Sequence, residues 1–260
     1  FLSGGIDSPL VNAVIKSKYK DLKAFTLSST HAGLDESVQA AKIGEYLGLD
    51  HHIEPFQFGD VTSWLDDHFK AFSEPFADYS SLPTYLLCRQ AVKHYTVLLS
   101  GDGGDELFWG YPRFLSTIIY KNWFCFPRHL RLLLAGILRR MGRRISSGIE
   151  CYTLGDWALE RQSPNYSSEV KRMLPNADVS LSLKKLYKSP QPISKPSILL
   201  KWLRKNEFYG HLQRVLLKVD RSSMANSLEV RVPFLDRNIL DFSSKITPEL
   251  GVSHTIPKYL

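Results

Sequence analysis

The stretch FLSGGIDSPL, residues 1–10, opens the chain and decides its fold. Two apolar residues lead into a glycine turn that carries hydroxyls and one carboxylate, and apolar residues at helical spacing follow at 10–15. Pro9 stands where a first-turn proline is tolerated in a helix. A strand end, a glycine turn and a helix in this order predict a corner of an α/β sheet that can hold an anion.

The side chains of this turn suggest which anion it holds. Paired glycines, Gly4 and Gly5, allow backbone N–H groups to turn inward, and the hydroxyls of Ser3 and Ser8 can donate to phosphate oxygens. Asp7 would repel a bare phosphate, so its presence implies a hard cation such as Mg²⁺ between the two. An ordinary glycine turn entering a helix is the alternative, and the combination of residues favours phosphate.

Outward from the turn, strand and helix patterns alternate. Apolar runs predict strands at 22–29, 51–56 and within TVLLSGDGGDE (96–106), and helices at 61–72 and 84–94. A further helix follows Asp35, with an expected apolar face of Val38, Ala41, Ile43, Tyr46 and Leu47. This alternation predicts an α/β fold with a mainly parallel sheet and helices on both faces, whose ligands lie beyond the carboxyl ends of the strands.

The second part of the chain is predicted to be helical. We expect residues 1–110 to form the α/β core and residues 111–260 a mainly helical remainder of the same domain, with a loop at Ser189–Pro196. RHLRLLLAGILRRMGRR (128–144) has the pattern of a basic amphipathic helix.

The net charge of +7 is local. Residues 107–149 hold eight basic side chains and no acidic one, so the rest of the chain carries 7 − 8 = −1. This predicts one cationic surface element that faces solvent or a partner; RNA or an anionic membrane is the lesser alternative, and nucleic acid is not an expected partner.

Other totals exclude whole classes of protein. No apolar run is long enough to span a bilayer and no signal peptide heads the chain, so we expect no membrane association. Cys88, Cys125 and Cys151 are few and far apart, as in a cytoplasmic protein with reduced thiols.

A second glycine turn ends the strand that is predicted within TVLLSGDGGDE (96–106). Ser100-Gly101-Asp102-Gly103-Gly104-Asp105-Glu106 places three carboxylates within five residues, and their mutual repulsion calls for a cation. Because it follows a parallel strand, we expect it beside the first turn, with Asp7 and Asp105 on one Mg²⁺. A solvated acidic turn is the alternative.

A third segment combines charges with apolar residues at 216–236. Lys218 and Arg221 share a helical face with Asp220 between them, and Glu229 and Arg231 alternate with apolar residues in an extended pattern that Pro233 ends. These charges either hold the helical part in place or contact substrate.

Together, LSGGIDS, LSGDGGDELFWGYPRF and LLKVDRSSMANSLEVRVPFLD resemble the synthetase domain of glutamine-dependent asparagine synthetases, an ATP-pyrophosphatase (PP-loop) fold. The resemblance covers essentially the whole chain. It implies that aspartate is adenylated on its β-carboxylate by ATP, with release of pyrophosphate, and that ammonia then displaces AMP to give asparagine.

The resemblance also implies roles for individual residues. Those expected to bind ATP and pyrophosphate are Ser3, Gly4, Gly5, Asp7, Ser8, Leu27, Ser100 and Gly101. Asp7 and Asp105 are expected to hold Mg²⁺, and Lys258 and Asp102 to act in catalysis, although many relatives have Glu at the latter position. The expected acyl-substrate pocket comprises Glu74, Asp78, Ser81, Lys218, Asp220, Arg221, Glu229 and Arg231.

The chain departs from the family at both ends. The glutaminase half with its cysteine nucleophile is expected upstream of Phe1, so this chain alone would use free ammonia. The chain also stops two residues after Lys258, where relatives continue. The resemblance is compatible with a homodimer.

Two other functions stay open. A β-lactam synthetase or lasso-peptide cyclase would share the turn and the adenylation but close a ring onto an internal amine. An inactive ATP-binding domain could instead recruit RNA or a protein partner through the basic helix.

Overall fold

The structure, a computed structural model, describes residues 1–29, 35–56, 61–142, 148, 151–162, 167–176 and 186–251. Its strands are β1 (Lys23–Ser29), β2 (Asp50–Phe56), β3 (Val97–Leu99) and β4 (Glu229–Arg231). β1 pairs in parallel with β2, and β3 pairs in parallel with β4. The predicted parallel α/β arrangement is confirmed.

The first two residues lie between these strand pairs. The Leu2 amide donates to the Phe25 carbonyl in β1 at 3.0 Å, and the Phe1 nitrogen donates to the Leu99 carbonyl in β3 at 2.7 Å. Residues 1–2 thus bridge the two two-stranded sheets, and the first glycine turn follows directly after them.

Helices fill most of the remaining described chain. In the first part they are α1 (Asp7–Lys16), α2 (Ser37–Tyr46), α3 (Val61–Phe72), α4 (Ser81–Ala91) and α5 (Gly104–Leu107). Later helices are α6 (Pro112–Tyr120), α7 (Arg128–Arg140), α8 (Leu154–Glu160), α9 (Ser167–Met173), α10 (Pro196–Asn206), α11 (Leu212–Met224), α12 (Arg237–Lys245) and α13 (Pro248–Gly251). Short 3₁₀ turns lie at Lys121–Cys125 and Pro233–Leu235, and a π-helical turn at Glu207–His211. Among the described residues, none of these helices is long and apolar enough to cross a membrane.

The chain forms two compact units. The first comprises Phe1–Gly104 and Gln213–Phe242; the second comprises Asp105–Leu212 and the described residues from Ser243 onward. This division differs from the expected one at 110, because β4 returns to pair with β3 and takes residues 213–242 into the unit that contains the sheet.

Each unit has its own core. In the first unit Phe25, Cys88, Ala91, Leu98 and Leu228 pack together under the sheet. The second unit is centred on Trp109, whose indole N–H donates to the Leu200 carbonyl at 2.8 Å, together with further buried apolar residues: Phe114, Ala158, Leu159, Tyr187, Leu203 and Ile246. Cores of this size position the turns at their surfaces through packing rather than local propensity.

The predicted apolar face of α2 is right at Ile43, which packs against the core, and wrong at Val38 and Tyr46. Val38 and Tyr46 are 64 % and 89 % exposed, whereas the small residues Ala40 and Gly44 are buried. The reason is close approach to β2, since a Cβ on Gly44 would lie 2.7 Å from the His51 ring nitrogen Nδ1. Asp35 lies one residue before the N-cap residue Glu36, and its carboxylate accepts the Ser37 amide at 3.1 Å.

The basic segment is less cationic at its surface than its sequence suggests. Arg131 is 2 % exposed and donates to the carbonyls of Cys151 and Tyr152 at 3.0 and 3.1 Å. Arg113 forms a bidentate ion pair with the buried Glu207, in which its Nε and a terminal guanidinium nitrogen donate to the two carboxylate oxygens at 2.9 and 2.6 Å. Two of the eight basic side chains therefore serve the interior of the second unit.

Candidate functional site

The first glycine turn, Ser3–Ser8, is closed by its own hydroxyls. Ser8 Oγ accepts the Ser3 amide at 2.8 Å and lies 2.8 Å from Ser3 Oγ, and the Gly5 amide donates to Ser3 Oγ at 3.3 Å. Asn12 fixes the base of the turn by donating to the carbonyls of Ser8 and Phe1. The turn is thus a preformed cradle of amides and hydroxyls at the start of α1.

One backbone amide of this turn already donates a hydrogen bond to a carboxylate. Glu36 Oε2, just before α2, accepts the Gly4 N–H at 3.0 Å. Sequence reasoning missed Glu36, whose only signal was an acidic residue next to Asp35, where a helix was predicted to begin. The contact shows that this amide faces a position where negative charge is accepted.

The second turn lies directly against the first, as expected. A Cβ on Gly101 would be 2.6 Å from the Ser8 amide nitrogen, and a Cβ on Gly104 would be 2.5 Å from the Asp7 carboxyl carbon. A side chain at Gly101 would collide with the backbone of the first turn, so this position requires glycine, and a side chain at Gly104 would displace the Asp7 carboxylate. The two turns share one contact surface with Asp7 in it.

Ser100 begins the second turn with an unused hydroxyl. Its amide donates to the Arg231 carbonyl at 2.9 Å, which anchors it to β4. Ser100 is 5 % exposed, and within the described part of the chain its Oγ has no hydrogen-bond partner. A buried hydroxyl in this state is suited to a ligand oxygen.

The carboxylates of the two turns are hard oxygen ligands of the kind that Mg²⁺ prefers. Asp7 lies in the first turn of α1 against Gly104, and Asp105 is the next residue along the chain, in α5. Asp102 is half-buried. Burial, with a smaller contribution from the Asp102 charge, raises the pKa of the neighbouring Cys88 thiol to about 12.

Two of the residues expected in an acyl pocket fall into one polar cluster of the first unit. Ser80 Oγ donates to Asp78 at 2.6 Å and accepts from Lys218 Nζ at 2.9 Å, and Arg214 Nε lies 3.8 Å from the Asp78 carboxylate. Burial alone would raise the pKa of Asp78, but the Ser80 hydrogen bonds and the charges of Lys218 and Arg214 together lower it. Ser80 and Arg214 were missed, because their roles depend on contacts distant in sequence.

The remaining predicted residues lie outside this cluster. Ser81 is buried and its hydroxyl lies 3.0 Å from His68 Nε2, so it is engaged in the packing of α3 on α4. Exposed side chains are those of Glu74, Asp220, Arg221, Glu229 and Arg231, and the last two form a surface ion pair at 2.8 Å.

Two positions remain to be placed. Leu27 packs against Tyr85 and Leu86 within β1, as a partly buried core side chain. Lys258 lies outside the described residues, and its role stays a prediction.

As a whole, the paired turns bring together the groups that recognition of an oligophosphate requires. They supply inward amides, three serine hydroxyls and carboxylates for a divalent cation at the carboxyl edge of a parallel sheet.

Comparison with known proteins supports the family resemblance that the sequence motifs indicate. The family model described as "Asparagine synthase" matches residues 1–260. Asparagine synthetase [glutamine-hydrolyzing] 1 of Bacillus subtilis is 32% identical over 265 residues, which cover 100% of this chain and 42% of that protein. A putative asparagine synthetase [glutamine-hydrolyzing] of Mycobacterium bovis is 28% identical over 276 residues, covering 100% of this chain and 40% of that protein.

A more distant relative carries another name. Amidase chyE of Penicillium rubens is 22% identical over 304 residues, covering 98% of this chain and 43% of that protein. The chain thus spans about two fifths of the length of the relatives it matches. The match along its full length shows that this chain belongs to the asparagine synthase family.

Proposed function

We propose that the chain is the ATP-dependent synthetase part of an asparagine-forming carbon–nitrogen ligase. A carboxylate oxygen of aspartate forms a bond to the α-phosphorus of ATP while the bond to the leaving pyrophosphate breaks. The nitrogen of ammonia then bonds to the acyl carbon, the acyl carbon–oxygen bond breaks, and AMP leaves with that bond's electrons.

The observation that carries this proposal is the contact between the two glycine turns. Gly101 and Gly104 bring the second turn onto Ser8 and Asp7, so hydroxyls, amides and a carboxylate converge at one place. Within the described residues, the buried Ser100 hydroxyl adds a donor that a phosphate oxygen would satisfy. Fixed donors around a developing negative charge commonly supply a large share of the catalysis of such transfers.

Asp7 and Asp105 are the residues we propose to hold Mg²⁺. The ion would neutralise phosphate charge that the Asp7 carboxylate otherwise repels. Fit is supported by the close approach of Gly104, which leaves no side chain between the second turn and the Asp7 carboxylate.

For the acyl substrate we propose the cluster of Asp78, Ser80, Arg214 and Lys218. Its two cations and one carboxylate match the mixed charges of an amino acid such as aspartate. The roles of Lys258 and Asp102 in catalysis belong to the same proposal.

We also propose a domain context, a compartment and an oligomeric state for the full-length protein. The relatives are more than twice as long as this chain, which supports a glutaminase domain upstream that supplies ammonia. We propose that the protein acts in the cytoplasm, in an assembly compatible with a homodimer.

Pyrophosphate release tests the function. The chain is incubated with ATP, Mg²⁺, aspartate and ammonia, which makes glutamine hydrolysis unnecessary. We expect aspartate-dependent pyrophosphate and one asparagine per AMP. Absence of aspartate-dependent pyrophosphate would contradict the proposal, and release with a different carboxylic acid would favour a ring-closing relative.

The metal assignment is tested by Asp7→Asn. We expect a rate loss of about 100-fold or more, since charge neutralisation at the phosphates is lost. Asp66→Asn, at an exposed aspartate of α3, is the matched control and should retain the full rate. Near-normal turnover of the Asp7 variant would refute the assignment.

A further inference from the structure

Two histidines and a glutamate lie close together within the first unit, and none of them is among the residues proposed to bind ATP or aspartate. One ligand atom each from His52, Glu54 and His94 lie within 4.8 Å of one another. His52 Nε2 and Glu54 Oε2 are 3.1 Å apart. We propose that these three side chains form a binding site for a divalent transition-metal ion of the Zn²⁺ class.

The backbone brings the ligands together. His52 and Glu54 are two residues apart in β2, so they project from the same side of the strand. His51, the residue before His52, points the other way, and its Nε2 lies 2.8 Å from the Thr26 hydroxyl. His94 follows the C-terminal end of α4 and supplies the third ligand.

Packing holds the His52 imidazole in place, and the exposed His94 ring lies beside it. Phe25, fully buried in β1, lies opposite His52 in the strand register, and their rings stack at 5.6 Å with an angle of 17°. The His94 ring is 4.6 Å from the His52 ring and 6.3 Å from that of Phe25. A rigid floor of this kind reduces the entropy lost when ligands are fixed around an ion.

The spacing suits a small four-coordinate ion. Zn²⁺ bonds to nitrogen and oxygen at about 2.0–2.2 Å, so neighbouring ligand atoms of a tetrahedron are about 3.3–3.6 Å apart. The observed 3.1 Å between His52 and Glu54 is close to one such edge. His94 is exposed and can move the remaining distance.

The donor set determines the class of ion. Imidazole suits Zn²⁺, Ni²⁺ and Cu²⁺, whereas Mg²⁺ prefers oxygen ligands only. Two neutral imidazoles and one carboxylate leave a fourth position for water, and the partial exposure of Glu54, 29 %, leaves a path from solvent.

Zn²⁺ titration calorimetry tests the site without any turnover. The chain is stripped with a chelator and kept in excess Mg²⁺ without ATP, in a Cys125→Ser background, because that exposed thiol would bind metal itself. We expect one Zn²⁺ at this site, a higher melting temperature with Zn²⁺, and a four-coordinate visible spectrum when Co²⁺ replaces it.

Two variants and one control complete the test. His94→Ala and Glu54→Gln should each weaken Zn²⁺ binding by about 100-fold or more, because each loses a direct ligand. His129→Ala removes an exposed histidine of α7 and should bind like the parent. Failure of the parent to bind Zn²⁺, or parent-like binding by both site variants, would overturn the proposal. The isosteric Glu54→Gln keeps the test valid even if the His94 variant folds poorly.

Discussion

Single residues determine what the first glycine turn can hold, and Glu36 is the least expected of them. Its carboxylate accepts the Gly4 amide, one of the donors that the proposed pyrophosphate would use. The side chain and the ligand therefore compete for one N–H, and their negative charges repel. Binding of pyrophosphate would require Glu36 to give up this contact.

Glu36→Gln should bind pyrophosphate more tightly. One hydrogen bond to a charged group contributes about 1.5 kcal/mol, which corresponds to roughly a tenfold change in the dissociation constant. Calorimetry with Mg²⁺–pyrophosphate measures it.

Glu45→Gln, at an exposed glutamate of α2, is the control and should leave the affinity unchanged. Weaker binding by the Glu36 variant would show instead that this carboxylate organises the turn for its ligand.

Between elements, buried polar contacts fix how helices meet. In the second unit Arg113 of α6 holds the fully buried Glu207 of the π-helical turn, and its guanidinium lies 3.6 Å from the Tyr111 ring centre. Burial raises the pKa of nearby Glu106 to about 7, although the Tyr111 hydroxyl donates to it at 2.6 Å. The negative charge of Glu207 contributes to this raised pKa of Glu106.

Arg113→Met should strongly destabilise the second unit. It leaves Glu207 buried without its cation, which costs about 3–5 kcal/mol of unfolding free energy. Chemical denaturation followed by circular dichroism measures the loss. Arg140→Met, at an exposed position of the same unit, should change stability by less than about 0.5 kcal/mol. An unaffected Arg113 variant would mean that the ion pair contributes nothing to the fold.

The contact of α3 with α4 predicts a pH dependence. His68 is 6 % exposed, lies 3.0 Å from the Ser81 hydroxyl, and packs 4.8 Å from the Phe72 ring. Burial lowers the pKa of His68 in the folded protein below 6.5. At a pH between that lowered pKa and 6.5, His68 is therefore protonated in the unfolded chain and neutral in the folded protein. The His68 contribution is complete above pH 6.5 and is lost as the pH falls, by at most about 1.4 kcal/mol per pH unit.

Urea unfolding of the parent and of His68→Gln at pH 7 and pH 5 measures how the unfolding free energy changes on acidification. The variant should lose less stability on acidification than the parent. His129→Ala should keep the parent's dependence, because that side chain is exposed. Equal losses for parent and His68→Gln would contradict it.

At the scale of the whole molecule, local pattern predicted the order of elements better than their partners. Alternating apolar runs located β1 and β2 to within a residue, and the bounds of α3 were predicted without error. The second turn was placed beside the first because parallel strands end at one edge. Both predictions depend on periodicity and chain direction, which a sequence displays.

Other features depend on contacts that no local pattern encodes. β4 pairs with β3, and Arg131 looks like a surface charge although it is buried against carbonyls. Ala40 and Gly44 are buried in α2, whereas Val38 and Tyr46, which were expected on its apolar face, are exposed. Glu36 and Arg214 escaped notice because acidic and basic side chains are usually solvated.

The return of the chain to the first unit, where β4 pairs with β3, has a consequence for the synthesis of the protein on the ribosome. β3 leaves the exit tunnel long before β4, and the whole intervening segment must be synthesised first. During that interval the amides and carbonyls of one edge of β3 have no native strand beside them, a condition that invites pairing with another chain. The nascent protein therefore passes through a vulnerable period whose length is set by translation speed, and chaperone capture is expected to be greatest before Glu229–Arg231 emerges.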